Sequence, residues 1–272
     1  MDDNKLLGLQ RAEFKRAEAM GARSNMAQVI IVIISIITAF INSPSYVYIL
    51  TIGNLIIALL WLWFSMQAKN SHSIAERARR AVVFSNGLGV RLSGKTNTDL
   101  RMLFNVHERE GAKYEDEKYF KTEKEYGNKK LAEIVEESSF WSKHLFKMSA
   151  KRYWLYFAAT LTVSILGLLL LPLLNVGSLD ILISQVFCLI LIWLITGNIF
   201  SSAMSFTNAA NAADDIEGRL DKMASNMESD QDVLLIVSDY NALVESSPTI
   251  PSDLYEKNQD RLNALWEERS LD

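Results

Sequence analysis

Long uncharged runs are the dominant pattern along this chain. No Asp, Glu, Lys or Arg occurs between Arg23 and Lys69, and turn residues at 42–45 interrupt this run near its middle. A helix that crosses a membrane needs about 20 apolar residues, so a run of this length with a central turn predicts two spans joined by a tight hairpin. Such runs are too long and too continuous for the strands of a membrane barrel.

The same pattern returns after Arg152, where two apolar runs at 153–174 and 181–203 flank a turn at 175–178. Backbone polar groups in hydrocarbon must bond within their own segment, so the sequence predicts an all-α integral membrane protein with four transmembrane helices in two hairpins. The predicted segments are an N-terminal arm at 1–25, a first transmembrane hairpin at 26–67, a basic helical loop at 68–152, a second transmembrane hairpin at 153–203 and an acidic helical tail at 204–272.

The distribution of Lys and Arg predicts the orientation of these spans. Both hairpin turns lack Lys and Arg, whereas the N-terminal arm and both ends of the central loop are rich in them. By the positive-inside rule, both termini and the central loop are expected to be cytoplasmic. Almost nothing would then protrude on the far side, which argues against an extracellular receptor.

Charge is unevenly divided between the two polar segments. Residues 69–152 contain 18 basic and 12 acidic side chains, whereas residues 204–272 contain 5 basic and 15 acidic ones. The first interpretation is that the two segments pack together through complementary charge. The second is that part of the basic surface binds an anionic ligand such as a nucleotide. The candidate anion contacts are Arg77, Arg79, Arg80, Arg91, Lys95 and Arg101.

Helices are also predicted within the central loop. Residues 73–85 extend the second span, and a glycine-rich break follows at 87–94. Thr98 is expected to cap the next helix, and a helical apolar pattern that begins at Asn128 leads into the third span. Residues 108–127 are densely charged, which is typical of a solvated helix or a connection.

Residues 89–96 match the P-loop pattern G-x-x-x-x-G-K-[ST]. A true P-loop follows a strand and begins a helix, and residues 81–84 are the only candidate for that strand. The apolar run at 233–239 fits one face of a helix better than a second strand. No other catalytic pattern is present, the three histidines lack metal-ligand spacing, and the single cysteine, Cys188, excludes an internal disulfide. Neither enzyme activity nor a metal or other cofactor is therefore expected.

Polar side chains form stripes along the predicted spans. In the second span one stripe contains Thr51, Asn54, Ala58, Trp61 and Ser65. Such stripes either pack helices together or line a water-filled path. Four short spans would need an oligomer to build a pore, and a tetramer is favoured. The candidate pore-lining residues are Asn54, Ser65, Gln185 and Asn198.

Short stretches near both ends of the chain carry a family resemblance. The tail contains Asp239-Tyr240-Asn241-Ala242-Leu243, a two-proline stretch at 246–255 and an amphipathic segment at 260–266, and residues 6–14 read LLGLQRAEF. Together with the four predicted spans, these stretches resemble the SMODS-associating four-transmembrane proteins, which are pore-forming effectors encoded beside nucleotide-second-messenger synthases in bacterial anti-phage operons.

The resemblance implies a multi-pass effector of the bacterial inner membrane, in contact with the lipid bilayer. It would form a homo-oligomeric pore or ion channel controlled by a nucleotide or oligonucleotide signal from a companion nucleotidyltransferase. The resemblance supplies no catalytic residues, and duplex nucleic acid is not an expected partner. Two alternatives stay open, a membrane scaffold that organises a complex through its tail and a membrane-anchored P-loop NTPase.

Overall fold

A computed structural model describes residues 3–41, 43–116, 119–174, 180–196, 198–226 and 230–269. All regular structure in these ranges is helical, as the sequence predicts. The helices are α1 (Asp3–Ala39), α2 (Pro44–Leu88), α3 (Gly94–Leu103), α4 (Glu108–Gly111), α5 (Asn128–Leu174), α6 (Asp180–Thr196), α7 (Asn198–Asn226), α8 (Asp230–Ser246) and α9 (Ser252–Arg269), with a 3-10 turn at Ala112–Tyr114.

Three helices, α1, α2 and α5, are long and apolar enough to cross a membrane. They contain 37, 45 and 47 residues, and they indicate membrane association. The fourth predicted span falls on α6 and the first residues of α7. Residue 197 between these two helices lies outside the described residues, as do Asn42 and the predicted turn at 175–178.

Local sequence explains where α2 begins and ends. Pro44 is its first residue, where a missing N–H costs no helical hydrogen bond. Gly89 follows its last residue with a φ of +68°, a left-handed conformation that glycine adopts at helix ends. A Cβ at Gly89 would also lie 2.7 Å from Cγ of Tyr126. The predicted extension of the second span and the glycine break after it are both confirmed.

The expected cap at Thr98 is wrong. Helix α3 begins at Gly94, and the Ser93 side chain accepts a hydrogen bond from the Thr96 backbone N–H at 3.1 Å. Ser93 satisfies an N–H group that has no partner within the helix, so α3 begins five residues earlier than expected. Thr98 lies inside α3, and its hydroxyl donates to the Gly94 carbonyl.

The chain forms two compact units. The charged unit comprises Met1–Glu18, Ala68–Ser149 and Ser205–Asp272, and the apolar unit comprises Ala19–Gln67 and Ala150–Met204. Helices α1, α2, α5 and α7 each contribute residues to both units.

The core of the charged unit brings together helices that are distant in sequence. Side chains of α2, α5, α7 and α8 form its largest apolar cluster, which includes Val83, Leu131, Ile134, Ile216, Leu220, Val237 and Tyr240. A second cluster joins Phe140 and Leu145 of α5 to Leu262 and Trp266 of α9. In the apolar unit, by contrast, Leu55 and Leu59 of α2 remain 60% and 59% exposed, as expected for a face that contacts lipid.

Candidate functional site

Charge pairs join the basic loop to the acidic tail inside the charged unit. Lys143 Nζ lies 3.0 Å from Asp214 Oδ1 and 2.7 Å from Glu217 Oε2. The hydrogen bond from Lys143 holds the pKa of Asp214 below its usual value. Arg80 contacts Glu245 Oε2 at 3.1 Å. The predicted packing of the two segments through complementary charge is therefore confirmed.

Arg79 is largely buried, and its contacts support the fold. Its side chain is only 12% exposed, and its Nε donates to Glu76 Oε2 at 2.6 Å. Its Nη2 donates to Asn241 Oδ1 at 2.8 Å, and the guanidinium lies 5.1 Å from the centroid of the Tyr240 ring. Burial acts to lower the pKa of Arg79, but the Glu76 carboxylate and nearby tyrosines together outweigh this effect, and the pKa is raised. These contacts hold α2 against α8.

The six cationic candidates are not joined into one site. Arg79 and Arg80 face α8, and Arg101 pairs with Glu108 of the same loop. The remaining three are exposed and make no ion pair or hydrogen bond with any residue that the structure describes, namely Arg77, Arg91 and Lys95. The anion site stays a prediction. These three side chains are the candidates that no described residue neutralises.

The segment that matches the P-loop pattern follows a helix. Residues 81–84 belong to α2, so the strand that the NTPase alternative requires is replaced by helix. At the start of α3 the hydroxyls of Ser93 and Thr96 bond to each other at 2.8 Å. Residues 233–239 are part of α8, as the apolar spacing predicted.

Two of the four pore candidates are covered by their own chain. Asn54 Nδ2 donates to Ser35 Oγ at 3.0 Å, which joins α2 to α1. Asn54 Oδ1 is buried and has no hydrogen-bond partner among the described residues. Ser65 is half-buried on the same face of α2. Both side chains are therefore partly covered by the rest of the apolar unit.

The other two pore candidates are exposed. Gln185 lies on α6, and Asn198 is the first residue of α7. Asn198 Nδ2 donates to Asn25 Oδ1 of α1 at 3.3 Å. Exposure thus divides the candidates into an inner pair on α2 and an outer pair on α6 and α7.

Sequence reasoning missed the contacts of the N-terminal arm, residues 3–18 of α1. Leu6 and Leu7 pack with Leu100 of α3, and Glu13 is fully buried. Glu18 Oε1 accepts a hydrogen bond from the backbone N–H of Ser252 at 2.9 Å. The available signal was the occurrence of Glu13 on the same helical stripe as these leucines, where a lone carboxylate indicates a buried partner.

Burial shifts the pKa of several ionisable groups in the charged unit, and two of these shifts are large. Burial raises the pKa of Tyr119 to about 12. Burial also raises the pKa of Glu137 to about 7, although the Lys121 backbone N–H donates to its carboxylate and opposes this effect. A carboxyl group with such a pKa changes charge near neutral pH.

The cleft on α7 in the charged unit contains none of the candidate residues. No group of three or more His, Cys, Asp or Glu suited to a metal occurs in the described part of the chain. A cleft of about 390 Å³ on α7 is lined by Asn211, Asp214, Asp215, Gly218, Arg219 and Lys222. Comparisons with protein-family models, curated proteins and solved structures find no match to the chain.

Proposed function

We propose that this protein is an inner-membrane effector of bacterial anti-phage defence, whose spans form a pore or ion channel under control of a nucleotide-type signal. The observation that carries the proposal is helix continuity. Helices α1, α2 and α5 each run without a break between the charged unit and the apolar unit. A helix that belongs to both units is a covalent connection through which a change in the charged unit can reach the spans. The sequence resemblance supplies the defence role and the class of signal.

The topology of the proposed channel follows the sequence prediction. Helix α6 and the start of α7 provide the fourth span, and both termini lie in the cytoplasm. A homo-oligomer is required to enclose a pore, and a tetramer is the favoured assembly. Gln185 and Asn198 are exposed in the single chain and are available to neighbouring copies.

The signal would bind through cations that the fold does not already use. Arg77, Arg91 and Lys95 meet this condition, whereas Arg79, Arg80 and Arg101 have carboxylate or amide partners. Charge-assisted hydrogen bonds to phosphate oxygens are among the strong polar contacts in proteins. The ligand class that suits these side chains is an anion such as a nucleotide or oligonucleotide.

Ion flux from liposomes tests the proposal. Purified full-length protein is reconstituted, and potassium release is measured alone and with a panel of cyclic and linear oligonucleotides. Flux that at least one nucleotide raises or lowers tenfold is the expected result. An intact oligomer that gives no flux under any of these conditions overturns the channel proposal.

Matched variants separate ligand control from pore formation. Arg91→Ala and Lys95→Ala remove unpaired cations and should abolish the nucleotide response while leaving the oligomer unchanged. Lys257→Ala removes an exposed cation of the tail that has no ion pair among the described residues, and it should respond like the unmodified protein. An unchanged response in all three variants would contradict the assignment of these cations.

A scaffold is the second candidate, and one observation favours it. Leu234 and Leu235 of α8 are 44% and 58% exposed, and they form an apolar pair on the surface of the tail. If the tail recruits a protein, Leu234→Ser with Leu235→Ser should abolish co-purification of that protein, whereas the neighbouring exposed change Ser238→Ala should not. The NTPase alternative is left with the sequence match alone, since helix precedes residue 89.

A further inference from the structure

One face of α2, which contacts α1 at Asn54, contains buried polar atoms that no described residue satisfies. Asn54 Oδ1 and Trp61 Nε1 are both buried and have no hydrogen-bond partner among the described residues. Within hydrocarbon each such group costs several kcal/mol. One is an acceptor and the other a donor, and they lie seven residues apart, which is about 10.5 Å along one face of a helix.

Three hydroxyl groups on this hairpin already have hydrogen-bond partners. Ser35 Oγ donates to the Ile31 carbonyl at 2.8 Å, and Thr38 Oγ1 donates to the Ile34 carbonyl at 2.7 Å. Thr51 Oγ1 likewise donates to the Val47 carbonyl. These side chains are satisfied by their own helices, as hydroxyls in membrane helices commonly are. On this hairpin the unsatisfied groups are therefore the amide oxygen of Asn54 and the indole N–H of Trp61.

Polar side chains recur at successive levels of this face. The Asn54–Ser35 hydrogen bond fixes one level of the antiparallel hairpin. Both helices rise by the same distance per residue, so seven residues farther from the turn Gln28 is expected near the level of Trp61. Four residues beyond that, Ser24 is level with Ser65, and Ser24 is only 4% exposed. Three polar levels thus follow one another.

The opposite face of α2 has a different character. Its large side chains are apolar and exposed, including Leu55, Ile56, Leu59, Leu62 and Met66. The inner stripe is instead small or polar and half-buried at Asn54, Ala58, Trp61 and Ser65. A helix that only packed its partner in lipid would not require unpaired donors and acceptors on its covered face.

We propose that the α1–α2 face is a hydrated seam inside each protomer, a site for water and for the small monovalent ions that water can carry. A water molecule can donate to Asn54 Oδ1 and a second water can accept from Trp61 Nε1, so the same kind of ligand suits both atoms. Hydration of the seam stands without the proposed function. The passage of ions along it rests on that function.

Cysteine accessibility tests the seam with two adjacent positions. In a Cys188→Ser background, the full-length protein is prepared in nanodiscs as Ala58→Cys or Leu59→Cys. Ala58 lies on the inner stripe, whereas Leu59 is 59% exposed on the lipid-facing side. The probe is Ag⁺, a small monovalent cation that reacts with thiolates in water, and thiols are counted again after denaturation in detergent.

The seam predicts that the thiol of the Ala58→Cys variant reacts at least tenfold faster than the thiol of the Leu59→Cys variant. Adding Trp61→Phe, which keeps an aromatic ring but removes the N–H group, should slow the Ala58→Cys thiol at least threefold. Equal and slow reaction of both variants overturns the seam.

Potassium flux from liposomes of the same variants separates the two proposals. Fast reaction of the Ala58→Cys thiol without flux supports the seam and contradicts the channel. Flux with slow reaction of that thiol supports the channel and overturns the seam, which would direct attention to Gln185 and Asn198.

Discussion

The carboxylate of Glu13 accepts two hydrogen bonds from Asn105, one from its backbone N–H at 3.0 Å and one from its side-chain Nδ2 at 2.9 Å. Glu13 is fully buried, and Arg16 Nη1 lies 3.6 Å from its Oε1. The N-terminal arm is thereby tied to the loop that follows α3. Because α1 continues into the first candidate span, this loop is connected to the apolar unit through a single helix.

Loss of the Glu13 carboxylate should destabilise the charged unit. Glu13→Ala leaves the Asn105 donors unsatisfied in a buried site and is expected to lower the free energy of unfolding by about 3 kcal/mol. Glu13→Gln keeps one acceptor and should cost about 1 kcal/mol. Urea denaturation in mild detergent, followed by circular dichroism, measures both. The exposed change Glu123→Ala is the control, and a cost for it equal to that of Glu13→Ala would contradict the assignment.

The arm also approaches α4 at a pair of glycines. A Cβ at Gly8 would lie 2.4 Å from the carbonyl oxygen of Gly111, so Gly8→Ala forces the two segments apart. The expected cost is about 1–3 kcal/mol, as for other overpacked contacts. Gly218 of α7 is the matched helical control, since a Cβ there would meet no atom within 4 Å. Gly218→Ala should raise stability by up to about 1 kcal/mol. In urea denaturation, Gly8→Ala should lower the free energy of unfolding and Gly218→Ala should raise it. A change of the same sign in both variants would contradict the close contact at Gly8.

Patterns local in sequence predicted most of the fold. The long uncharged run, Pro44 and Gly89 define the extent of α2, and the apolar spacing from Asn128 predicted where α5 begins. These features depend on helix periodicity and on residues with special backbone properties. The cap of α3 was assigned to Thr98 rather than Ser93 because both are good capping residues and the choice depends on the neighbouring turn.

Contacts between distant segments could not be predicted from one sequence. Glu13 and Asn105 are 92 residues apart, and Arg79 and Asn241 are 162 apart. A charged side chain is normally expected at the surface, and only its partner explains its burial. The net charges of the two segments predicted that they attract, but they did not identify which cations are paired. For this reason the six cationic candidates were treated alike, although Arg79 and Arg77 have opposite environments.

Arg79 and Arg77 provide a test that separates folding from ligand binding. Arg79→Met leaves the buried Glu76 without its cation and should cost about 3–5 kcal/mol in urea denaturation. Arg77→Met, two residues away on the exposed face, should change stability by no more than about 0.5 kcal/mol. Combining Arg79→Met with Glu76→Gln should recover part of the loss, because the unpaired charge is removed. A neutral Arg79→Met variant would contradict the structural assignment and return Arg79 to the anion candidates.

Glu137 should make the stability of the charged unit depend on pH. The folded protein raises the pKa of Glu137 from an ordinary value of 4.5 to about 7, mainly through burial. Between these two values the folded state holds a proton that the unfolded state has released, so the contribution of Glu137 to stability falls as pH rises from about 4.5 to about 7.

Glu137→Gln lacks this proton but can still accept a hydrogen bond from the Lys121 N–H. Its stability relative to the unmodified protein should therefore increase by about 2 kcal/mol between pH 5 and pH 8, since one pKa unit corresponds to about 1.4 kcal/mol. Glu125→Gln, at an exposed position of the adjoining loop, should run parallel to the unmodified protein across the same range. A constant difference between Glu137→Gln and the unmodified protein at every pH would show that Glu137 is charged in the folded state throughout, and that its burial is offset by contacts stronger than the single N–H of Lys121.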